Sequence, residues 1–207
     1  MNRSLRTIAL CMAAIAMAAA PSLAAAQVFA PRAATNAFDL ALTYSPERAK
    51  IVDTPCDCFW FHGGGADAAA TLYRGLGPAA SFTGQHASGL TGGASLDKID
   101  YLFGPRYTLH TTGRSEIARY STRLFVQALF GGVHGFNGTF PASSAAVSSA
   151  NAFAYQLGGG LDLTLTHRWA IRAFEASFYH SGLPNSAANT QDDFRLATGV
   201  SYRIERR

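Results

Sequence analysis

The sequence is poor in charged residues, in cysteine and in long apolar runs. Only 14% of its 207 residues are charged, and it has three cysteines. Beyond residue 26, no uninterrupted apolar stretch reaches the roughly 20 residues that a membrane-spanning helix needs. No basic run is present either, which argues against nucleic acid as a partner. These absences leave three classes for the mature chain: a soluble periplasmic protein, a secreted protein or a membrane β-barrel.

Glycine and apolar residues are abundant instead. The chain has 20 glycines, and 48% of its residues are hydrophobic and 12% aromatic. Low charge combined with high glycine and aromatic content is more typical of a membrane β-protein than of a soluble helical protein. The length suits a single domain.

Residues 1–26 have the pattern of a secretory signal peptide. Arg3 and Arg6 give a positive start, residues 8–20 form an apolar core, and three alanines supply the small residues that precede cleavage. Cleavage would remove Cys11 and two of the 17 basic residues, which leaves 15 basic against 13 acidic residues and a net charge of +2. We therefore predict a secreted chain with nearly balanced charge.

The stretch from Asn151 to His180 indicates the fold. From Phe153 to Leu165 nearly every odd position is apolar or aromatic, whereas the even positions carry polar residues or glycine. A second run with strand character, Trp169 to Tyr179, follows after three residues, so the two runs form an antiparallel hairpin. Asp162 lies on the face opposite a row of leucines. This arrangement fits a closed barrel with apolar side chains towards lipid and polar side chains inside.

The same alternation predicts an eight-stranded antiparallel up-and-down transmembrane β-barrel over 37–204, preceded by a polar leader (27–36) and followed by a polar tail (205–207). Longer connections tend to alternate with shorter ones, which predicts external loops and periplasmic termini. Pro105 lacks an N–H, so we expect a bulge there. The predicted strands are 38–44, 59–73, 78–87, 98–110, 123–134, 153–165, 169–179 and 194–204.

Aromatic residues lie near the ends of these strands. Tyrosine and tryptophan are enriched at membrane–water interfaces, so we expect two interfacial girdles. The candidates are Tyr44, Trp60, Tyr73, Tyr101, Tyr107, Tyr155, Trp169, Tyr179 and Tyr202.

The charged residues of the polar faces are the candidate interior groups. An eight-stranded barrel is filled by its own side chains, and charges inside it must be paired. A polar plug is the first interpretation, and a narrow ion-conducting path through rearranged pairs is the alternative. Arg172 and Glu175 have opposite parity, so either one of them faces outward or a bulge separates them. The candidates are Asp100, Arg106, Arg123, Asp162, Arg172, Glu175, Arg195 and Arg203.

Cys56 and Cys58 are the thiols that remain after processing. They could pair in an oxidising compartment, although a single intervening residue strains the ring. Free or intermolecular thiols are the second possibility. A loop metal site is the third, but zinc sites usually show longer ligand spacings and a second ligand pair. We predict neither a metal nor a cofactor.

Ser177, His180 and Ser181, which lie with Glu175 near one strand end, are the candidates for a catalytic role. Side chains three residues apart on a strand point to opposite faces, so Ser177 and His180 do not easily share a site. We therefore predict that the protein is not an enzyme. The glycine runs 158–160 and 63–65 are interpreted as strand glycines, because no helix follows either of them.

Several short motifs resemble the OmpA-like family of small outer-membrane barrels. They are the Cys-x-Cys-Phe segment from Cys56 and the Phe-Gly-Pro-Arg-Tyr segment from Phe103. Gly199, Tyr202 and Ile204 resemble the terminal signal read by the outer-membrane assembly machinery, although Ala197 replaces a usual polar residue and three charged residues follow. The resemblance covers about 37–204 and implies an outer-membrane location. We expect no peptidoglycan-binding domain after the barrel, and therefore do not expect the cell-wall role of full-length relatives.

The resulting hypothesis is an outer-membrane barrel with a structural or surface-interaction role that displays extracellular loops. The alternatives are a narrow ion-conducting pore, a lipid-modifying barrel enzyme and a soluble periplasmic calyx that binds lipid inside. The expected partners are outer-membrane lipid and the assembly machinery, and the sequence does not identify an extracellular ligand.

Overall fold

The structure is a computed structural model that describes residues 37–50, 58–88, 95–111, 121–138, 140, 148–184 and 190–205. The predicted signal peptide, the leader, Cys56 and the last two residues of the tail lie outside the described residues. In the described part of the chain, no helix is long and apolar enough to cross a membrane.

The described chain forms nine strand segments. Segments β1 and β2 both pair with β3 on one side and with β9 on the other, so they are two parts of one barrel strand. The segments are β1 (Ala37–Tyr44), β2 (Glu47–Lys50), β3 (Cys58–Thr71), β4 (Leu76–Ala87), β5 (Leu96–Thr111), β6 (Thr122–Phe136), β7 (Ala150–Thr164), β8 (Trp169–Ser181) and β9 (Gln191–Glu205).

These segments close into an eight-stranded antiparallel up-and-down barrel. Each barrel strand pairs with its neighbour in sequence, and the first strand pairs with the last in an unbroken register from Ala37–Glu205 to Tyr44–Thr198. We call the end with Ala37 and Glu205 the terminal end, and the opposite end, where β2–β3, β4–β5, β6–β7 and β8–β9 are connected, the loop end. The predicted fold class is confirmed.

The outer wall is apolar and the inner wall is polar. In β1, Phe38, Leu40, Leu42 and Tyr44 are exposed, with Leu42 65% exposed, whereas Asp39 is largely covered. Phe103 in β5 is 70% exposed. Side chains of this kind are exposed in every barrel strand, an arrangement that suits hydrocarbon rather than water. It is the reverse of what a soluble calyx requires, so that alternative is wrong.

Strand β3, whose facing the sequence left open, has the same polarity. Phe61 and Asp67 are buried inside, whereas Trp60 and Leu72 are exposed outside. Strands β3 and β4 are joined at the terminal end by a two-residue turn, Arg74-Gly75, with φ of 49° and 90°. Positive φ at both positions is the requirement of the tightest hairpin turns, and glycine meets it without a steric penalty.

Two local expectations are corrected. Glu47–Lys50, interpreted as loop, continues the first strand after a break at Ser45-Pro46, because proline has no N–H for the ladder. No bulge forms at Pro105, since the register with both neighbours is constant through it. Pro105 lies opposite Pro78 of β4, so the two residues without an N–H share one pair and the ladder continues on either side.

A closed barrel predicts a specific gel behaviour. All backbone hydrogen bonds are made within the barrel and no edge is free, so SDS should not unfold it until it is heated. We expect the unboiled outer-membrane fraction to show a band of different mobility from the boiled sample. Identical mobility of the two samples would contradict the closed barrel.

Candidate functional site

The candidate site is the inside of the barrel, and a β-bulge in β8 determines which side chains of that strand point into it. The register of β8 shifts between Arg172 and Glu175 against β9, and between the β7 partners of Arg172 and Phe174. One extra residue reverses which side chains point inward. Arg172 and Glu175 are therefore both buried inside, which answers the parity question left by the sequence.

The same bulge explains a wrong expectation about Tyr179. Its position near a strand end predicts that Tyr179 lies in an interfacial girdle, like Trp169. Beyond the bulge the odd positions face inward, so Tyr179 is 0% exposed while Phe178 is on the outer wall.

Near the terminal end, two arginines share one aspartate. Arg203 donates from Nε and Nη2 to the two oxygens of Asp39, each at 2.9 Å, and Arg123 Nη1 donates to Asp39 Oδ1 at 3.0 Å. Arg123 also donates to Ser201 Oγ at 3.3 Å and lies 3.6 Å from Asp162. The cluster ties β1 and β9, where the barrel closes, to β6 on the opposite wall.

In the middle of the barrel, Arg172 binds three carboxylates. Its Nη1 donates to Asp67 at 2.5 Å and to Glu175 at 2.8 Å, and its Nε donates to Asp162 at 3.1 Å. The arginine is 1% exposed. A buried guanidinium with several acceptors replaces its lost hydration with directed hydrogen bonds.

Arg106 and Arg172 both pack against the aromatic ring of Phe125. The guanidinium carbons of Arg106 and Arg172 lie 4.4 and 4.7 Å from the centroid of the Phe125 ring. Arg106 donates to Gln127 Oε1, and Gln127 Nε2 donates to Glu175 at 2.8 Å. Cation–π contacts and amide bridges thus join the two arginines into one network.

Towards the loop end, Arg195 forms the most connected group. It donates to Glu47 at 2.6 Å, to Asp100 at 2.7 and 3.2 Å, and to Gln156 at 3.1 Å. Lys98 pairs with Glu47. The Lys98 ammonium and the Arg195 guanidinium lie 4.6 and 4.3 Å from the Tyr179 ring centroid.

Apolar side chains cap this network at the loop end. Phe140, from the β6–β7 connection, is 3% exposed, and Leu183, from the β8–β9 connection, is 2% exposed. They pack in one cluster with Val133 and Tyr179. The inward-facing Gly135 makes room for the Phe140 ring, because a Cβ there would lie 2.5 Å from its Cζ.

The interior charges nearly balance. Among the described residues, six basic side chains inside the barrel face seven acidic ones, a formal sum of −1. The basic residues are Lys98, Arg106, Arg123, Arg172, Arg195 and Arg203. The acidic residues are Asp39, Glu47, Asp67, Asp100, Asp162, Glu175 and Asp193.

The structure places all eight candidate charges from the sequence in this interior, from Asp100 at 0% to Arg203 at 8% exposure. Five further interior charges were not among these candidates: Asp39, Glu47, Asp67, Lys98 and Asp193. Lys98 and Asp193 have the same parity as Asp100 and Arg195, which was the available signal, whereas Glu47 fell in a segment interpreted as loop.

The remaining candidates lie apart from this network. Cys58 is an exposed thiol whose Sγ is 3.6 Å from Arg48 Nη2. Ser177 is buried inside, whereas His180 is on the outer wall with Nδ1 2.5 Å from Asp192 Oδ1, so the two side chains do not meet. Among the described residues, no cluster of three or more histidine, cysteine, aspartate or glutamate side chains could hold a metal ion.

An apolar outer wall around a closed, charge-filled interior defines the class: a small transmembrane β-barrel of the outer-membrane type. The resemblance to OmpA-like barrels is therefore confirmed for the fold.

Solved structures agree with this class. The chain is similar to Ail, the attachment invasion locus protein of Yersinia pestis, in complex with the heparin analogue sucrose octasulfate (TM-score 0.53, 17% identity, 83% of this chain and 100% of Ail). It is also similar to Neisserial surface protein A (TM-score 0.56, 12% identity, 81% of this chain and 99% of that one). No protein-family model and no curated protein matches the chain. At these identities the likeness shows the fold alone.

Replacement of Arg172 tests the central network. Arg172→Ala leaves Asp67, Asp162 and Glu175 close together without their shared cation, so we expect the free energy of unfolding to fall by about 3 kcal/mol or more. Urea unfolding of the barrel in lipid vesicles measures it. The matched control is Arg168→Ala on an exposed turn, where we expect a change below about 1 kcal/mol. Equal effects of the two changes would contradict the network.

Gly160 offers a second test of interior packing. A Cβ at Gly160 would lie 2.7 Å from Phe125 Cζ and 2.6 Å from the Phe174 carbonyl oxygen, whereas a Cβ at Gly84 would meet nothing within 4 Å. Gly160→Ala should displace the Phe125 ring, which both arginines contact, and lower the free energy of unfolding by about 1–3 kcal/mol. Gly84→Ala, measured by the same urea titration, should be nearly neutral. A neutral Gly160→Ala would show that the ring position is not constrained.

Proposed function

We propose that the protein is a sealed, non-conducting outer-membrane barrel whose role is structural: it holds a rigid scaffold in the bilayer and presents its loop end at the cell surface. The observation that carries this proposal is the filled interior. Three arginine-centred networks cross the lumen at successive levels, and Phe140 and Leu183 cover the last of them.

The charge balance supports a sealed scaffold rather than a pore. An ion that enters a lumen of low dielectric needs a partially free counter-charge or water along its path. Here the central guanidinium of Arg172 is held by three carboxylates, and Arg195 is held by two carboxylates and an amide. Opening a path would require several of these buried pairs to break together.

The proposed orientation follows the connections. Two of the three connections at the terminal end are short turns, at 74–75 and 165–168, a feature typical of the periplasmic side of outer-membrane barrels. We therefore place the loop end outside the cell. Delivery would use the signal peptide of residues 1–26, and the outer-membrane assembly machinery would read β9, where Tyr202 and Ile204 face outward.

The geometry does not support the catalytic role that the sequence suggested for Ser177 and His180. A histidine–serine pair for lipid cleavage would need both side chains at one site, and the wall of the barrel separates Ser177 from His180. We propose a non-enzymatic role.

Planar bilayer recordings test the proposal. We expect purified wild-type barrel to give no conductance steps in concentrated KCl. The positive control is a porin with a water-filled interior, reconstituted in the same bilayer, which should give conductance steps under the same conditions.

Insertion must be verified separately for each protein. The heat-dependent gel shift of the reconstituted sample shows whether each barrel is closed. Regular steps from a closed wild-type barrel would overturn the sealed scaffold in favour of the narrow pore. Silence of a closed wild-type barrel, in a bilayer where the porin conducts, would support the sealed scaffold.

A further inference from the structure

Histidines are concentrated on the outer wall at the loop end. Four of the six histidines of the chain lie there, each within a few residues of a strand end, on four different strands. They are His62 in β3, His86 in β4, His134 in β6 and His180 in β8, and we call them the histidine rim.

Each rim histidine is held through Nδ1 by an oxygen atom of a neighbouring strand. The distances are 2.6 Å to Asp97 for His86, 2.5 Å to Asp192 for His180, 2.7 Å to Asn151 for His134 and 2.7 Å to the Tyr44 hydroxyl for His62. An imidazole has two ring nitrogens, so Nε2 is left for another partner. His86 remains 56% exposed.

The rim lies where the apolar wall ends. The His180 ring stacks on Tyr155 at 4.8 Å, and the His134 ring stacks on Phe136 at 5.6 Å. Phe82 and Tyr101, a few residues further along their strands, are exposed to the hydrocarbon side. Aromatic residues of this kind mark the boundary between acyl chains and headgroups. The histidines are therefore at headgroup depth.

The charge of this surface depends on the protonation of the histidines. Among the side chains that the structure describes, the other charged groups that face outward beside the rim are Arg48, Asp97 and Asp192, which sum to −1. The neighbouring Glu47, Lys98, Asp193 and Arg195 point inward. In the same described part of the chain, Tyr44, Tyr101, Tyr155 and the Cys58 thiol are the other titratable outward groups close to the rim. Protonation of four imidazoles changes the sum from −1 to +3.

We propose that the histidine rim, with Arg48, is a docking surface for the anionic, phosphate-bearing headgroups of outer-leaflet lipid, and that this surface binds them in acid, when the four histidines are protonated. The proposal rests on the proposed orientation, which puts the loop end at the outer leaflet. Charge complementarity and depth select this partner: an anionic headgroup lies at the level of the rim, and imidazole is the side chain that changes charge between pH 5 and 8.

The test measures lipid selectivity of the whole barrel in nanodiscs of phosphatidylcholine. Spin-labelled phosphatidylglycerol and spin-labelled phosphatidylcholine report the relative association of an anionic and a zwitterionic headgroup. We expect the preference for phosphatidylglycerol to rise roughly fivefold between about pH 8 and about pH 5. High salt should reduce the rise by screening.

Matched variants locate the effect. His62→Gln, His86→Gln, His134→Gln and His180→Gln together should abolish the rise, with the gel shift showing that the barrel is closed. His167→Gln, on the exposed turn at the terminal end, should preserve it. Asp97→Asn with Asp192→Asn should strengthen phosphatidylglycerol association already at about pH 8. A pH-independent wild type, or an undiminished rise in the fourfold variant, would overturn the proposal.

The nanodisc result does not depend on orientation or conductance, because both leaflets have the same lipid. The orientation is tested separately on intact cells, with a membrane-impermeant thiol reagent on Cys58 in a Cys56→Ser background. Labelling from outside places the rim in the outer leaflet. Absence of labelling, in cells whose permeabilised sample is labelled, would remove the outer-leaflet partner even if the rim binds phosphatidylglycerol.

Discussion

Closure of the backbone hydrogen-bond ladder is the constraint on which this structure depends. A peptide group in hydrocarbon has no water to bond, and each unpaired N–H or C=O costs several kcal/mol. The pairing of β1 with β9 removes both edges, and it runs from Ala37–Glu205 to Tyr44–Thr198 without a register shift. The segment β2 prolongs the same seam beyond Pro46. Once the ladder is closed, the wall can carry apolar side chains on its lipid side, and the polar side chains must find partners inside.

The interior meets that second requirement mainly with arginine. A guanidinium has five donors in a rigid plane, so one buried cation can bond several acceptors and still present its face to an aromatic ring. Arg172 does both, with three carboxylates at its edge and Phe125 against its face. Lys98, with a compact ammonium, pairs with Glu47 and lies over the rings of Phe61 and Tyr179. The network therefore joins opposite walls of the barrel, which makes a filled lumen a consequence of satisfying the charges.

Alternation of side chains predicted most of the fold, because a two-residue period survives wherever a strand is regular. It predicted the number of strands, the outward-facing side chains of β1 and the interior location of Asp100, Arg123 and Arg195. The alternation could not predict the irregular positions of the strands. The break at Ser45-Pro46 hid Glu47, since proline suggests a loop whether or not pairing resumes after it. The opposite parity of Arg172 and Glu175 indicated a bulge in β8 as one of two possibilities. The inward position of Tyr179 was not predicted, because the local sequence does not show at which residue a bulge forms.

That one bulge determines both surfaces of β8. Before it, Arg172 points inward and Ile171 outward; beyond it, Glu175 and Tyr179 point inward and Phe178 and His180 outward. Without the extra residue, Glu175 and Tyr179 would face lipid and His180 would face the lumen. The interior would lose a carboxylate of Arg172 and the ring under Arg195, and the histidine rim would lose the member that pairs with Asp192. The filled lumen and the histidine rim thus both depend on the backbone of a single strand.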